Sequence, residues 1–337
     1  MPAEHDPRIS EIFYYFEEHT DIGNGRTVGR KIGVVQEILV KKLLVQHQAI
    51  RDSMIYEPRL RGRSGATHKV EFVLFRPLLV AEMSAGKTVR LRPPEIQLTL
   101  KKVDRERGKA RVSVLTGEGE QSATLAPDHS FSVVVVQDGQ PRSIFIKVVE
   151  IRGDVARIAI LDGGSPLASL ESKRVGAQRF SSTDELGSGI QTIEKAKQTS
   201  LVAIDFDIQY NAKMLVTTTE GDVRPFRSFA LLGNGVHWTD HDLSVLSTYV
   251  DFTFLVRDTA IIAYADYVLQ KAVAADEKFF NFFMGYFNGM TKTPADSFGV
   301  TEANFLLLRP TSGPFAGRGL AELVLMQVPA YTVATPV

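Results

Sequence analysis

Two changes of period in the apolar positions predict the first elements of the chain. From about Thr27 to Gln48, Val28, Ile32, Val35, Leu39 and Leu43 recur at helical spacing. Ser10 can cap a shorter helix ahead of it, running through Glu18, and Gly23-Asn24-Gly25 separates the two. Glu37 lies off the apolar stripe, with Gly29 and Gly33 before it. It is either a solvated surface acid or a carboxylate turned into a site that the glycines open to close backbone approach. From His68 to Phe75 the period falls to two. Val70, Phe72 and Leu74 share one face of a strand, and Lys69, Glu71 and Val73 the other. A carboxylate among bulky apolar neighbours needs a partner, either a basic side chain or a metal.

Alternation resumes at Thr88 and continues to about Ile160. Strands are expected at Val89–Arg92, Ile96–Leu100, Ala110–Val114, Phe131–Val136, Ile144–Val149 and Val155–Ile160, with turns such as Gln137-Asp138-Gly139-Gln140 between them. This pattern predicts a β meander or small barrel. After a Gly163-Gly164-Ser165-Pro166 turn comes a short strand, Leu170-Glu171-Ser172-Lys173-Arg174. Residues i and i+2 of a strand share a face, which puts Glu171 with Lys173 and leaves Ser172 behind. The Ser181–Glu185 cluster starts a helix over 186–198, and Leu201–Ile208 is a strand with a nearly continuous apolar start. Strand, helix, strand is the βαβ pattern of an α/β core. Leu243 to Phe287 is expected to be helical and rich in aromatics, as a core or a subunit interface is. Asn304–Leu308 and Leu320–Gln327 look strand-like.

Composition narrows the function classes only a little. The 337 residues suffice for one large domain or two moderate ones, and 39 basic against 39 acidic side chains leave no net charge. A nucleic-acid partner must therefore show itself in the distribution of charge. Basic residues do cluster, in Arg26, Arg30, Lys31, Lys41 and Lys42, in Arg59, Arg61 and Arg63, and from Lys87 to Arg111. This last group belongs either to a solvated sheet face or to a ribbon that tracks phosphates. The lack of cysteine excludes disulfides and thiolate metal sites and fits an intracellular protein. The polar N-terminus is unlike a secretory signal and no apolar run reaches the roughly 18 residues of a membrane span. The expectation is a cytoplasmic protein with no membrane partner.

Glu171-x-Lys173 carries the sharpest chemistry. A carboxylate that holds a hard cation, next to an ammonium that steadies a water or a phosphate oxygen, is a minimal kit for metal-assisted phosphodiester hydrolysis. Other acids compete. Asp205 and Asp207 share a strand face, and His237-Trp238-Thr239-Asp240-His241-Asp242 offers ligands, but the latter has no second cluster at zinc-like spacing and equally starts a helix. No glycine-rich phosphate loop follows a strand and no nucleophile elbow is present, which disfavours a small-molecule α/β enzyme.

The order of these elements resembles the PD-(D/E)XK nuclease superfamily, in particular its restriction-endonuclease-like members: a helix with Glu37, a strand with Glu71, a strand with Glu171 and Lys173, a helix, a buried strand. The resemblance implies an α/β fold, a restriction-endonuclease-like mixed sheet core flanked by helices. It divides the chain into 1–83 and 166–337, which share the core, and 84–165, an inserted β-rich subdomain that reads DNA. It implies Mg²⁺ on Glu71 and Glu171, with Lys173 and Glu37 completing the catalytic set. The segment 25–37 is similar to the family's N-terminal helix, and Gly189-Ile190-Gln191 with Lys195 to its helix after the motif. Arg30, Arg59, Arg61, Arg63, Arg90, Arg92, Arg174, Gln178, Arg179 and Lys195 would meet phosphates or guanine edges. The activity implied is site-specific cleavage of double-stranded DNA by a homodimer, as in a type II restriction enzyme. The sequence departs from the family pattern in having Glu for the usual first Asp and a long insertion between the acidic strands. A structure-directed repair nuclease and a non-catalytic sequence-specific DNA-binding protein are the alternatives.

Overall fold

The structure, a computed structural model, describes residues 25–61, 67–92, 94–173, 215–217, 223–225, 227–233, 250–274, 298–306 and 313–336. Helix α1, Gly25–Leu44, is the amphipathic segment expected over 27–48. The short helix α2, Gln48–Ser53, runs directly into strand β1, Met54–Tyr56. Strands β2, Arg59–Arg61, and β3, Thr67–Lys69, pair with each other. The strand expected over His68–Phe75 is broken at Val70 and Glu71, where the chain bends, and β4 then runs from Phe72 to Ser84, well past the expected end at Phe75. The reason is a bulge. Pro77 pairs with Leu161 and Leu79 with Ile160, so Leu78 is an extra residue, and a bulge is where a sheet accepts a proline.

Strands β5, Thr88–Leu91, β6, Ile96–Asp104, β7, Lys109–Thr116, and β8, Gly119–Leu125, form a separate antiparallel sheet. Strands β9, Ser130–Gln137, β10, Gln140–Arg152, and β11, Val155–Lys173, join the main sheet instead. Residues 84–165 are thus divided between two sheets, and their C-terminal limit falls inside β11. The Gly163–Pro166 segment does not turn the chain. It is an irregularity within one long strand, where a Cβ on Gly163 would meet the Ser143 carbonyl oxygen at 2.7 Å. Strands β12, Leu215–Thr217, and β13, Val223–Pro225, pair with each other. Strands β14, Arg227–Gly233, and β15, Phe252–Val256, extend the main sheet in parallel. The chain closes with α3, Asp258–Ala274, α4, Glu302–Phe305, α5, Leu320–Leu325, and β16, Val333–Ala334.

Two expectations of local structure are corrected. Phe252–Val256 is a strand and not helix, because its aromatic and β-branched residues are packed on both sides of a sheet. The two strand-like C-terminal segments are short helices. Thr301 and Asn304 form a reciprocal capping box that starts α4, and Leu320, Ala321, Leu323 and Val324 are buried at helical spacing. The result is an α/β fold with a mixed main sheet, an antiparallel second sheet and few helices among the described residues.

Only β4 and β11 run the length of the main sheet. Strand β10 pairs with β11 over Val155–Asp162 and β14 takes the same side over Ala168–Lys173. The two halves have different covers. At one end Phe72, Leu74, Leu170 and Leu231 pack against Val35, Ile38 and Leu39 of α1 and Ile261 and Tyr264 of α3. At the other, Leu79, Ala81, Ile146, Ile158 and Ile160 pack against Leu98, Val112 and Val114 of the second sheet.

Helix α2 is too short to hold itself and is fixed by buried charge. Asp52, fully buried, accepts from Arg157 Nε at 2.9 Å and Nη2 at 2.6 Å, from the Tyr331 hydroxyl at 2.6 Å and from Gln48 at 2.9 Å. Burial alone would raise the Asp52 carboxyl, but these donors outweigh it and hold the group below the usual carboxylate range. Burial, then the bond to Asp52, push the Tyr331 hydroxyl up to about 12. Lys147, also buried, closes the helix by donating to the carbonyls of Arg51 at 2.6 Å and Met54 at 2.8 Å, and pairs with Asp128 at 3.2 Å. Removing one partner of such a buried pair leaves the other uncompensated. Asp52→Asn should cost about 3–5 kcal/mol in urea unfolding. The depressed Asp52 gives stability that is present above about pH 4 and lost as pH falls through its folded value; the raised Tyr331 gives stability present below about pH 10 and lost on the way to about 12. In Asp52→Asn both flanks of the stability–pH profile should flatten.

Candidate acidic site at one end of the main sheet

Three strands bring acids into one backbone row. Strands β1 and β4 are antiparallel with Tyr56 opposite Phe72, and the next pair is closed by a hydrogen bond from the Glu57 N–H to the Glu71 carbonyl, 2.8 Å. Strands β4 and β11 are antiparallel with Leu170 opposite Phe72. That is the last pair of this register: Glu71 lies at a bend one residue before β4, and Glu57, at positive φ, one residue after β1. Glu57, Glu71 and Glu171 thus form a loose row, the first two flanking their strands and the third within β11. Glu171 is buried and Glu71 half-buried. Lys173 stands two positions beyond Glu171, its backbone paired with Leu232 of β14.

Helix α1 brings Glu37 to the same end. Glu37 Oε2 accepts from the Tyr56 hydroxyl at 3.0 Å. The preceding residue, Gln36, is fully buried and fastens the helix to the sheet, with Nε2 donating at 3.0 Å both to Ser172 Oγ and to the Leu231 carbonyl. Burial first, then the charges of Glu37, Glu57 and Glu71, raise the Tyr56 hydroxyl far above its ordinary value. That shift places Glu71 in the same electrostatic neighbourhood as Glu37 and Glu57. Lys41 Nζ lies 5.7 Å from the centre of the Tyr56 ring and 3.3 Å from Asp128. Ser172 turns toward α1, so strand alternation directs Glu171 and position 173 to the other side of β11.

No family model, curated protein or solved structure matches the chain. The site stands on its own geometry.

The structure brings Glu37, Glu71 and Glu171 to one end of one sheet, with Lys173 on the same strand as Glu171. Among the described residues no group of three or more His, Asp or Glu side chains is set to hold a metal ion. The donors at hand are all carboxylate oxygens, and Mg²⁺ is commonly held through one or two carboxylates with water and substrate phosphate completing its shell. Glu71, half-buried, and Glu171, buried, are donors of that chemistry.

The expected DNA contacts are scattered. Arg59 is exposed on β2, two residues from Glu57. Arg30 lies on α1 and Arg61 on β2. Arg90 bonds Gln97 at 3.2 Å and Arg92 bonds Glu95 at 2.6 Å, both on the second sheet, which covers the other half of the main one. Strand β4 travels roughly 40 Å, at 3.3 Å per residue, before that sheet begins. These two arginines are not gathered at the acids. Arg63, Arg174, Gln178, Arg179 and Lys195 lie outside the described residues, as do Asp205, Asp207 and the His237–Asp242 cluster.

Sequence reasoning missed Gln36, Tyr56 and Glu57. Gln36 sits on the apolar side of α1, where a polar residue next to Glu37 was the available signal. Gln36→Leu keeps the volume but leaves the Ser172 hydroxyl and the Leu231 carbonyl buried without their donor. It should cost about 2 kcal/mol in denaturant unfolding, more than a surface Gln→Leu change.

Proposed function

We propose that the chain hydrolyses phosphodiesters of double-stranded DNA in a Mg²⁺-dependent reaction at a specific sequence. This is the activity of type II endonucleases with a restriction-endonuclease-like core of the PD-(D/E)XK superfamily. The observation that supports the reading is the register that pairs Phe72, the residue after Glu71, with Leu170, the residue before Glu171, which in turn precedes Lys173 by two positions on β11. Glu71 and Glu171 would hold the ion, which supplies acidification of a bound water and stabilisation of charge on the phosphate oxygens.

The chain's own groups do the rest. Lys173 steadies the attacking water or the developing oxyanion by charge and hydrogen bonding. The tie from Gln36 to Ser172 fixes α1 and β11 relative to each other, while the Tyr56 hydroxyl holds Glu37 on the helix side of the sheet, across β11 from Glu171. Arg59, exposed beside the row, is placed to meet a phosphate of the substrate backbone.

The deciding experiment is incubation of plasmid and phage DNA with Mg²⁺ or with chelator. Discrete metal-dependent bands are expected. Glu171→Gln and Lys173→Ala should each reduce cleavage by at least about 100-fold while leaving the thermal unfolding midpoint in place. Full cleavage by both variants would remove the assignment. Metal-independent binding without cleavage would leave a DNA-binding protein.

A further inference from the structure

We propose that two copies of this chain pair through β9, edge to edge, forming one continuous sheet across a two-fold axis. Among the described residues, β9 is the last strand of the main sheet on its side and is hydrogen-bonded only to β10. Its hairpin to β10 closes through Asp138-Gly139, both at positive φ, with Gln137 opposite Gln140. That turn makes 137/140 a hydrogen-bonded pair, so the odd-numbered residues of β9 bond to β10. The His129 carbonyl, which accepts from the Val148 N–H at 3.0 Å, continues the same alternation. The N–H and C=O groups of Ser130, Ser132, Val134 and Val136 therefore point outward, and among the described residues they have no backbone partner.

Ser132, Val134 and Val136 also expose their side chains. Val134 is 50% and Val136 55% accessible, and both are among the few large hydrophobic residues left exposed in the described structure. Edge strands are ordinarily guarded by charge, proline or a bulge. From Ser130 to Gln137 there is no charged residue and no proline, and the pairing with β10 is unbroken. An extended strand is what satisfies such an edge.

Self-pairing fits it best on charge. In an antiparallel arrangement centred on Val134, Val134 meets its own copy and Ser132 meets Val136 of the second copy. Asp138, at one end of β9, then falls near Ser130 at the other end of its mate, so each carboxylate meets a hydroxyl donor and not the other carboxylate. The contact is small. Two eight-residue strands bury less than the roughly 1,000 Å² of a stable complex, so the dimer is a weak one.

The pairing also bears on the proposed reaction, and this part alone rests on the nuclease reading. Counting 3.3 Å per residue and about 4.8 Å per strand, the two acid rows lie roughly 50 Å apart. This dimer links two sites without placing both at one phosphodiester step, so its loss should leave cleavage at a single site unchanged.

Sedimentation velocity of the full chain over the micromolar range tests the interface directly. Wild-type protein should shift from monomer to dimer with concentration. The Val134→Lys, Val136→Lys double variant should stay monomeric, its association weakened at least tenfold, with the same thermal midpoint. Ser132→Pro, which removes an outward N–H and leaves the β10 bonds intact, should do the same and guards against misfolding of the lysine variant. Hydrogen exchange at 132, 134 and 136 should slow on dimerisation. A wild-type protein monomeric throughout, or dimers undiminished in both variants, would overturn the proposal. Neither readout involves cleavage, so loss of the nuclease reading would leave it standing.

Discussion

The pairing of β4 with β11 is the constraint on which the rest of this molecule depends. Every other strand of the main sheet attaches to one of these two or to a strand that does, and both covering layers rest on the surface they make. Because side chains alternate along a strand, slipping this pair by one residue would turn Phe72, Leu74 and Leu170 away from α1 and expose them. The bulges keep two different packing problems in phase. Strand β4 packs even-numbered Phe72 and Leu74 under the helices and odd-numbered Leu79, Ala81 and Met83 under the second sheet, with the extra residue Leu78 between. The register that buries these residues also brings Phe72, just after Glu71, opposite Leu170, just before Glu171, so the approach of these acids follows from core packing.

This dependence explains what could be seen in the sequence. Helix α1, the hairpin strands and the Asp138-Gly139 turn follow from local periodicity and turn chemistry, which one segment carries by itself. The strand character of Glu171 and Lys173 was legible for the same reason. The continuity of β11 through Gly163-Gly164-Ser165-Pro166 was not, because those residues are the usual signature of a turn. They are accommodated by a close approach to Ser143 that only the folded sheet creates. The length of β4 was hidden likewise by Pro77. Strand β15 was hidden by its composition, since a short run of aromatic and aliphatic residues buried on both faces has no period to distinguish it from a helix. Of the site, the acids were visible as residues, but their juxtaposition is a matter of register between segments a hundred positions apart. Gln36 was invisible because its role is to meet Ser172 and Leu231, which are remote in sequence.

The acids of this chain are held in two ways. Asp52 and Asp128 are provided with cations by the fold: Arg157 for the first, Lys147 and Lys41 for the second. Both carboxyls are held below the usual range despite burial, which marks them as permanently ionised structural groups. At Tyr56, burial and then the charges of Glu37, Glu57 and Glu71 make the hydroxyl harder to ionise, so it stays a donor to Glu37. Asp52 and Asp128 are thus fixed by cations that α1, β10 and β11 bring to them, whereas Glu37 is held by a neutral hydroxyl on β1.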